Sequence, residues 1–266
     1  MTAAITIPGS NFNDPTLPVR GADELLTGGT LHMFDFGNPD CYPAQVSPIT
    51  TGIIGISPQG YTGTRTGGTG DFLFAGGGCQ WATAVSGLDH FRFSSQDFNL
   101  FGKQDREYLI CAWLKPANSG TASFSPQFYR IGQDGGTRSA TTNFINIEAR
   151  EGNWIINNGG DLTPTLAFAA DTLVQIAYHI KYDDVAETAS LVAYLNGERK
   201  GTIPLNWVAW TTAAAACAQL GASAGANNNG ANGRIYRGFV EDVSLSQIDP
   251  DYWIARDFEL NDGRFS

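Results

Sequence analysis

The sequence predicts an all-β protein built as a two-sheet antiparallel sandwich, and three observations predict it. Short apolar or alternating runs recur along the chain, each bounded by Gly, Asn, Asp or Pro, which is the spacing of strands joined by turns. Long helical periodicity is nearly absent. The composition is that of a loop-rich β protein: of 266 residues 32 are glycine, 12% are aromatic and only 16% are charged, so the surface must be made largely of Ser, Thr, Asn, Gln and Gly. A hydrophobic content of 42% suffices for one large core, and one principal domain is expected.

Residues 1–28 combine Pro8, Pro15 and Pro18 with Gly9, Gly21 and Gly28 among few apolar residues. This pattern has neither helical nor strand period and predicts an extended arm, held against its own domain or a neighbour. The sandwich is expected over residues 29–266. Its first strand is Leu31 to Phe36, with Leu31, Met33 and Asp35 on one side and His32, Phe34 and Phe36 on the other; the turn residues from Asp35 to Asp40 close it. Gly52 to Ile56 and Asp71 to Ala75 are further short strands, and the Gly/Thr-rich stretch Gly60 to Gly70 between them reads as a flexible surface loop.

The strongest strand is Glu107 to Lys115, stopped by Pro116. Phe124 to Ile131, Asn143 to Arg150, Trp154 to Ile156, Thr172 to Tyr182, Ser190 to Leu195 and Gly233 to Ser246 follow. Alternation places Val174, Ile176, Tyr178, Ile180 and Tyr182 on one face. Asn196-Gly197 predicts a type I′ hairpin from Leu191 to Thr202, because both central residues must take positive φ. Helical turns are expected only at Ala213 to Leu220 and at 250–258, where Asp249-Pro250 is a natural start. About ten to thirteen short strands make a two-sheet sandwich.

Several of these segments resemble the laminin G and concanavalin A-like lectin/glucanase family. Tyr108-Leu109-Ile110-Cys111-Ala112-Trp113-Leu114-Lys115-Pro116 is similar to its aromatic-x-Ile-x-Ala-Trp-Val-Lys-Pro strand, and Ala193-Tyr194-Leu195-Asn196-Gly197-Glu198 to its Leu-Tyr-Val-Asn-Gly hairpin. Leu31 to Phe36 looks like the opening strand, and Gly70 to Gly77 like the segment that carries Phe-Asp-Gly. Leu220-Gly221-Ala222 with Arg234 to Val243 looks like the closing pair. In the family's order they span Leu31 to Ser246. The resemblance implies a concanavalin A-like jelly-roll with binding loops at the rim or a concave face.

The enzymatic branch of that family carries Glu-x-Asp-x-x-Glu on one strand, which puts two carboxylates on one face at the roughly 5 Å that a retaining mechanism needs. No such motif is present. Glu148 and Glu151 flank Arg150 and read as a solvated charge cluster, and Glu241-Asp242 point to opposite faces. His32, His90 and His179 have no nucleophile elbow beside them; His179 reads as a surface residue and His90 as a loop hydrogen-bonder. The chain is therefore expected not to be an enzyme. Calcium is common in the resembled family, but Asp134 and Asp183-Asp184 form no Asp-x-Asp cluster, so no metal and no cofactor are expected. Cys41, Cys79, Cys111 and Cys217 are widely spaced and read as buried free thiols.

Candidate glycan-binding residues are Trp207 and Trp210, read as exposed stacking aromatics, and Asn227, Asn228, Asn229 and Asn232 in a polar loop that offers amides to sugar hydroxyls. Trp81 and Trp154 are weaker stacking candidates, and Trp113 reads as core. A net charge of −10 with no basic run excludes nucleic acid as an expected partner, and no apolar stretch is long enough to insert in a membrane. The opening residues carry no basic, apolar secretion signal.

By analogy, a lectin-like sandwich, a Pro-rich arm, no signal peptide and a sparsely charged surface fit a phage virion protein of the tail, baseplate or capsid decoration, made in the host cytoplasm. Its expected partners are other virion subunits, docked through residues 1–28 in an oligomeric assembly, and a host cell-surface glycan. The alternative is a stand-alone carbohydrate-binding lectin; a glycoside hydrolase is least favoured.

Overall fold

The computed structural model describes residues 23–66, 72–81, 90–103, 106–117, 127–133, 144–159, 161–209, 215–221 and 233–265. It is a two-sheet antiparallel jelly-roll sandwich. The first sheet orders its strands β14 (Glu198–Leu205), β13 (Thr188–Leu195), β12 (Val174–Asp183), β7 (Glu107–Pro116), β16 (Gly233–Asp242), β5 (Gly78–Trp81) and β4 (Phe72–Ala75), with β1 (Thr30–Asp35) also paired to β16. The second orders β11 (Asp161–Ala167), β10 (Asn153–Asn158), β9 (Phe144–Arg150), β8 (Gln127–Gln133), β15 (Ala216–Leu220), β6 (His90–Ser94), β3 (Thr62–Thr66) and β2 (Ile53–Ile54). A short helix α1 (Val243–Ser246) and the longer α2 (Pro250–Asn261) end the chain.

The main core lies between the sheets. Alternation delivers it: Ile110, Ala112 and Leu114 from β7, Ile176, Tyr178 and Ile180 from β12, and Ile145, Ile147 and Ala149 from β9 all point inward. The Asn196-Gly197 turn has φ of 52° and 77°, as its hairpin demands. Trp81, Trp113 and Trp154 are buried, and all four cysteines are buried free thiols; burial pushes the Cys41 thiol up to about 12.

Five sequence expectations are corrected here. Part of the Gly60 to Gly70 loop is strand β3, whose inward Gly63 passes over Phe93: a Cβ there would lie 2.5 Å from the ring. The Ala213 to Leu220 stretch yields strand β15, not a helical turn; its small Ala216 and Ala218 fit the core between β8 and β6, and tertiary pairing overrides alanine's helix propensity. The Gly233 to Ser246 strand stops at Asp242, whose carboxylate accepts from Leu245 N and caps α1. His90 opens strand β6 and is buried. Glu148 is fully buried, not solvated, although Glu151 beside it is exposed and pairs with Arg150 at 3.6 Å.

Outside the main core, the first sheet is covered by α2 and by residues 23–28. Asp249 accepts from Asp251 N at 3.0 Å, Pro250 starts the helix, and Ile254, Asp257 and Asn261 face the sheet on one stripe. Leu25 packs there with Met33, Leu109, Ala177, Phe239 and Ile254. Residues 1–22 of the expected arm lie outside the described residues.

Candidate functional site

Each sheet has a second face, turned away from the main core, and both carry rows of polar side chains in cross-strand register. On the first sheet the row runs Asp35, Arg237, Trp113, Gln175 across β1, β16, β7 and β12. Asp257 of α2 lies over it and accepts from Arg237 Nε at 3.0 Å, Trp113 Nε1 at 2.7 Å, Gln175 Nε2 at 2.7 Å and Asn261 Nδ2 at 3.1 Å. Arg237 also pairs with Asp23 and with Asp35, and Arg264 donates to Asp35 at 2.6 Å. Burial alone would lower the Arg237 pKa, but the carboxylates of Asp257, Asp23 and Asp35 raise it well above its ordinary value. This is a buried network whose carboxylates and amides are occupied by one another: it fastens the helix and residues 23–28 to the sheet.

The second sheet's row runs Thr64, Arg92, Gln219, Arg130, Asn146, Asn157 across β3, β6, β15, β8, β9 and β10. Gln127 and Glu148 are paired one step along the same face. These positions alternate with the inward Phe91, Phe93, Ala218, Leu220, Ile131, Ile145 and Ile147, so their side chains leave the core. Yet from β15 to β10 they are buried: Asn146, Glu148 and Asn157 are 0% exposed, Gln127 and Gln219 2%, and Arg130 3%. This part of the row is covered, not a solvated surface.

What marks it is hydrogen bonding. Asn157 Nδ2 donates to Glu148 Oε1 at 3.1 Å. Both amide atoms of Asn146, Gln127 Oε1 and Gln219 Oε1 are buried without a hydrogen-bond partner among the described residues. Each such atom costs about 1–3 kcal/mol if left unmet, and a native fold retains several in one place only where they have a use. Planar amides, a carboxylate and guanidinium groups on a rigid sheet form a hydrogen-bonding template for a ligand dense in hydroxyls. Glu148 is the single carboxylate among the described strand residues of this face, so no acid and nucleophile pair stands on it.

Of the residues expected from the sequence, Trp207 is half-buried: it packs on the edge of the main core and its indole N–H donates to Asp184 at 2.8 Å. Trp210, Asn227, Asn228, Asn229 and Asn232 lie outside the described residues, as does Asp134. Asp184 is also held by Arg106 at 2.6 Å, and Asp183 accepts from Val185 N and Ala186 N within its own turn. Among the described residues no group of three or more His, Cys, Asp or Glu converges. A depression of about 420 Å³ lined by Arg106, Glu107, Lys181, Tyr182, Asp183 and Ser244 is the second candidate. Its charges are largely answered internally, since Glu107 meets both His179 at 2.8 Å and Lys181 at 3.6 Å. His179 is thus half-buried and paired.

The sequence reading did not single out the amide row. Its one signal was the polar half of the alternation in Asn143 to Arg150, which has the same form as an ordinary solvated face.

No family model matches the chain, and no curated protein sequence does. The fold does match solved structures. The botulinum neurotoxin serotype D/C VPI 5993 binding domain aligns with a TM-score of 0.56 at 9% identity over 87% of this chain and 52% of that one. Domain 4 of AbnA, a GH43 extracellular arabinanase from Geobacillus stearothermophilus solved in complex with arabinotriose, aligns at 0.51 and 15% identity over 86% and 97%. Botulinum neurotoxin type C, whose cell entry is described as dependent upon interaction with two ganglioside molecules, aligns at 0.51 and 9% over 81% and 50%. The chain thus spans about half the length of the toxin structures.

Proposed function

We propose that this protein is a glycan-binding β-sandwich module that performs no chemistry on the sugar it holds, and that it binds through the outer face of its second sheet. The observation that carries this reading is Asn146, fully buried on a strand face that points away from the core, with both amide atoms lacking a protein partner and with Gln219 and Gln127 in similar condition beside it. A sugar hydroxyl both donates and accepts and would satisfy all of them. The likeness of the fold to domains described with arabinotriose and gangliosides supports the reading. That Glu148 is the single carboxylate among the described strand residues of the face supports binding without hydrolysis.

The setting suggested by the sequence, a phage virion subunit whose residues 1–28 dock on neighbours, belongs to the same proposal but draws no support from the comparisons. Residues 23–28 pack on their own sandwich, which favours a lectin that stands alone.

The test is a printed array of neutral and acidic oligosaccharides probed with the intact protein and with Asn146→Ala. Binding to at least one sugar, reduced about tenfold or more in the variant, and with no shortened sugar released on long incubation, is the expected result. Retention of full binding by the variant would move the site off this face, and release of shortened sugars would make the protein an enzyme.

A further inference from the structure

We propose that Asn196 is a site of spontaneous deamidation, that the folded protein holds it unmodified through a clamp supplied by Gln175, and that loosening of α2 from the first sheet releases it. The two-residue turn between β13 and β14 needs positive φ at both of its positions, 52° at Asn196 and 77° at Gly197. The second position must be glycine for a further reason: a Cβ there would lie 2.9 Å from Phe258 Cβ of α2. The pair that satisfies the turn is also the pair most open to attack by its own backbone, since glycine sets no side chain beside the attacking nitrogen. Asn196 is exposed, so water reaches it.

The reaction has two stages. The backbone nitrogen of Gly197 gives up its proton to solvent and attacks Cγ of Asn196; a C–N bond forms, the bond to Nδ2 breaks, and ammonia leaves with a proton taken from solvent, closing a five-membered succinimide. Water then opens either C–N bond of that ring. One product is aspartate; the other is isoaspartate, in which the main chain is longer by one carbon. Nothing is oxidised or reduced.

Both reacting groups are held by one residue. Gly197 N donates to Gln175 Oε1 at 2.7 Å, which keeps the proton on the attacking nitrogen. Gln175 N donates to Asn196 Oδ1 at 2.9 Å and Asn196 N donates to Gln175 O at 2.9 Å. The carboxamide can therefore turn toward Gly197 only by leaving the N–H of the buried Gln175 unpaired. Gln175 cannot adjust in turn, because its Nε2 donates to Asp257 Oδ2 at 2.7 Å and to Ile254 O at 3.1 Å, both on α2. Reversing that amide would set donor against donor at Gly197 and acceptor against acceptor at Asp257. The turn is protected as long as α2 stays on the sheet, and each local opening of that face lets the reaction advance in one direction only. Asn158-Gly159 provides an internal comparison: Asn158 is buried, its Oδ1 accepts from the Tyr182 hydroxyl at 2.5 Å and its Nδ2 donates to Asn206 O at 2.8 Å, without Gln175.

The experiment is peptide mapping by mass spectrometry, following Asn196 and Asn158 separately while the intact protein is incubated at mildly alkaline pH. The samples are the folded parent, the parent unfolded in urea, Gln175→Met, which keeps the length of the side chain and removes the acceptor of Gly197 N, and Asp257→Ala, which frees Gln175 from α2. The expected result is conversion of Asn196 about a hundredfold slower in the folded parent than in the unfolded one, and about tenfold faster in each folded variant than in the folded parent, with Asn158 in Gln175→Met unchanged. Circular dichroism establishes that the variants are folded. A difference below about threefold between folded and unfolded parent overturns the protection, and this comparison needs no variant. An unchanged Asn196 rate in folded Gln175→Met overturns the clamp, and an unchanged rate in folded Asp257→Ala overturns the control by α2. Acceleration of Asn158 to the same extent as Asn196 in Gln175→Met also overturns the clamp, since it marks general loosening and not release of this turn.

Discussion

The two outer faces of this sandwich are built from the same materials and differ in one respect. Each carries a cross-strand row that mixes arginine with amides, the first buried throughout and the second buried from β15 to β10. On the first sheet, Asp257 receives donors from Arg237, Trp113, Gln175 and Asn261, and in the row itself only Arg237 Nη2 is left without a partner. On the second, the amides of Asn146, Gln219 and Gln127 are left with atoms that no described residue meets. Burial of polar groups is therefore not itself a functional sign; what separates a fastening from a candidate binding face is whether the protein supplies the partners.

Asp257→Ala is the largest way to break that comparison. It removes the acceptor shared by four donors and leaves Arg237 under-paired in the interior, with an expected loss of about 3–5 kcal/mol in urea unfolding and no change in glycan affinity where the variant is folded. A loss below about 1 kcal/mol would mean that the first face is not held by its network.

His32 tests the comparison from between the sheets. Its Nδ1 meets the Tyr129 hydroxyl at 2.6 Å, its Nε2 is buried without a partner, and its ring lies 4.3 Å from that of Phe93. No ligand reaches this position, so the orphan atom must appear as an energetic cost instead. Burial pushes the imidazole down to about 3 from 6.5. With a depressed folded pKa the unfolded chain takes up the proton first, so stability should be intact above pH 6.5 and fall progressively toward pH 3. The slope is at most about 1.4 kcal/mol per pH unit. Urea midpoints of His32→Gln compared with the parent at several pH values within that window should show the slope reduced by this amount; parallel curves would show that His32 does not govern it.

The smallest effect is on the stability of Asn146→Ala. An amide with no protein partner contributes no hydrogen bond to the fold, so its removal should leave the unfolding free energy within about 1 kcal/mol of the parent or raise it. A loss of about 2 kcal/mol or more would assign Asn146 to the fold after all and erase the contrast between the faces.

What could be read in the sequence was what local chemistry decides. The alternation of Val174 to Tyr182, the Asn196-Gly197 turn and the Asp249-Pro250 helix start all lie where expected, because each depends on residues close in the chain. The break between β9 and β10 also lies where expected, but its turn type is not legible: Glu151-Gly152 uses the same pair of positive φ values, 47° and 77°, without the asparagine that announces them. Strand β15 was hidden because Ala216 and Ala218 are chosen for the narrow space between sheets, and in a single sequence alanine argues for helix.

The candidate site was hidden for a different reason. Asn146, Arg130 and Gln219 occupy the polar half of an alternating pattern that any half-solvated sheet shows. Only the register that aligns them across three strands, and the burial that removes them from water, distinguishes them. Both are properties of distant parts of the chain meeting.

The Arg237 network has a consequence for how this molecule can be mounted. Asp23 and Arg264, near the two ends of the described chain, converge on it through Arg237 and Asp35, on the side of the sandwich opposite the amide row. A tether joined just after Arg264, whether a peptide linker or an immobilisation tag, leaves from the back of the molecule. The row then faces outward from whatever the tether is anchored to, and presentation is determined by topology instead of by linker design.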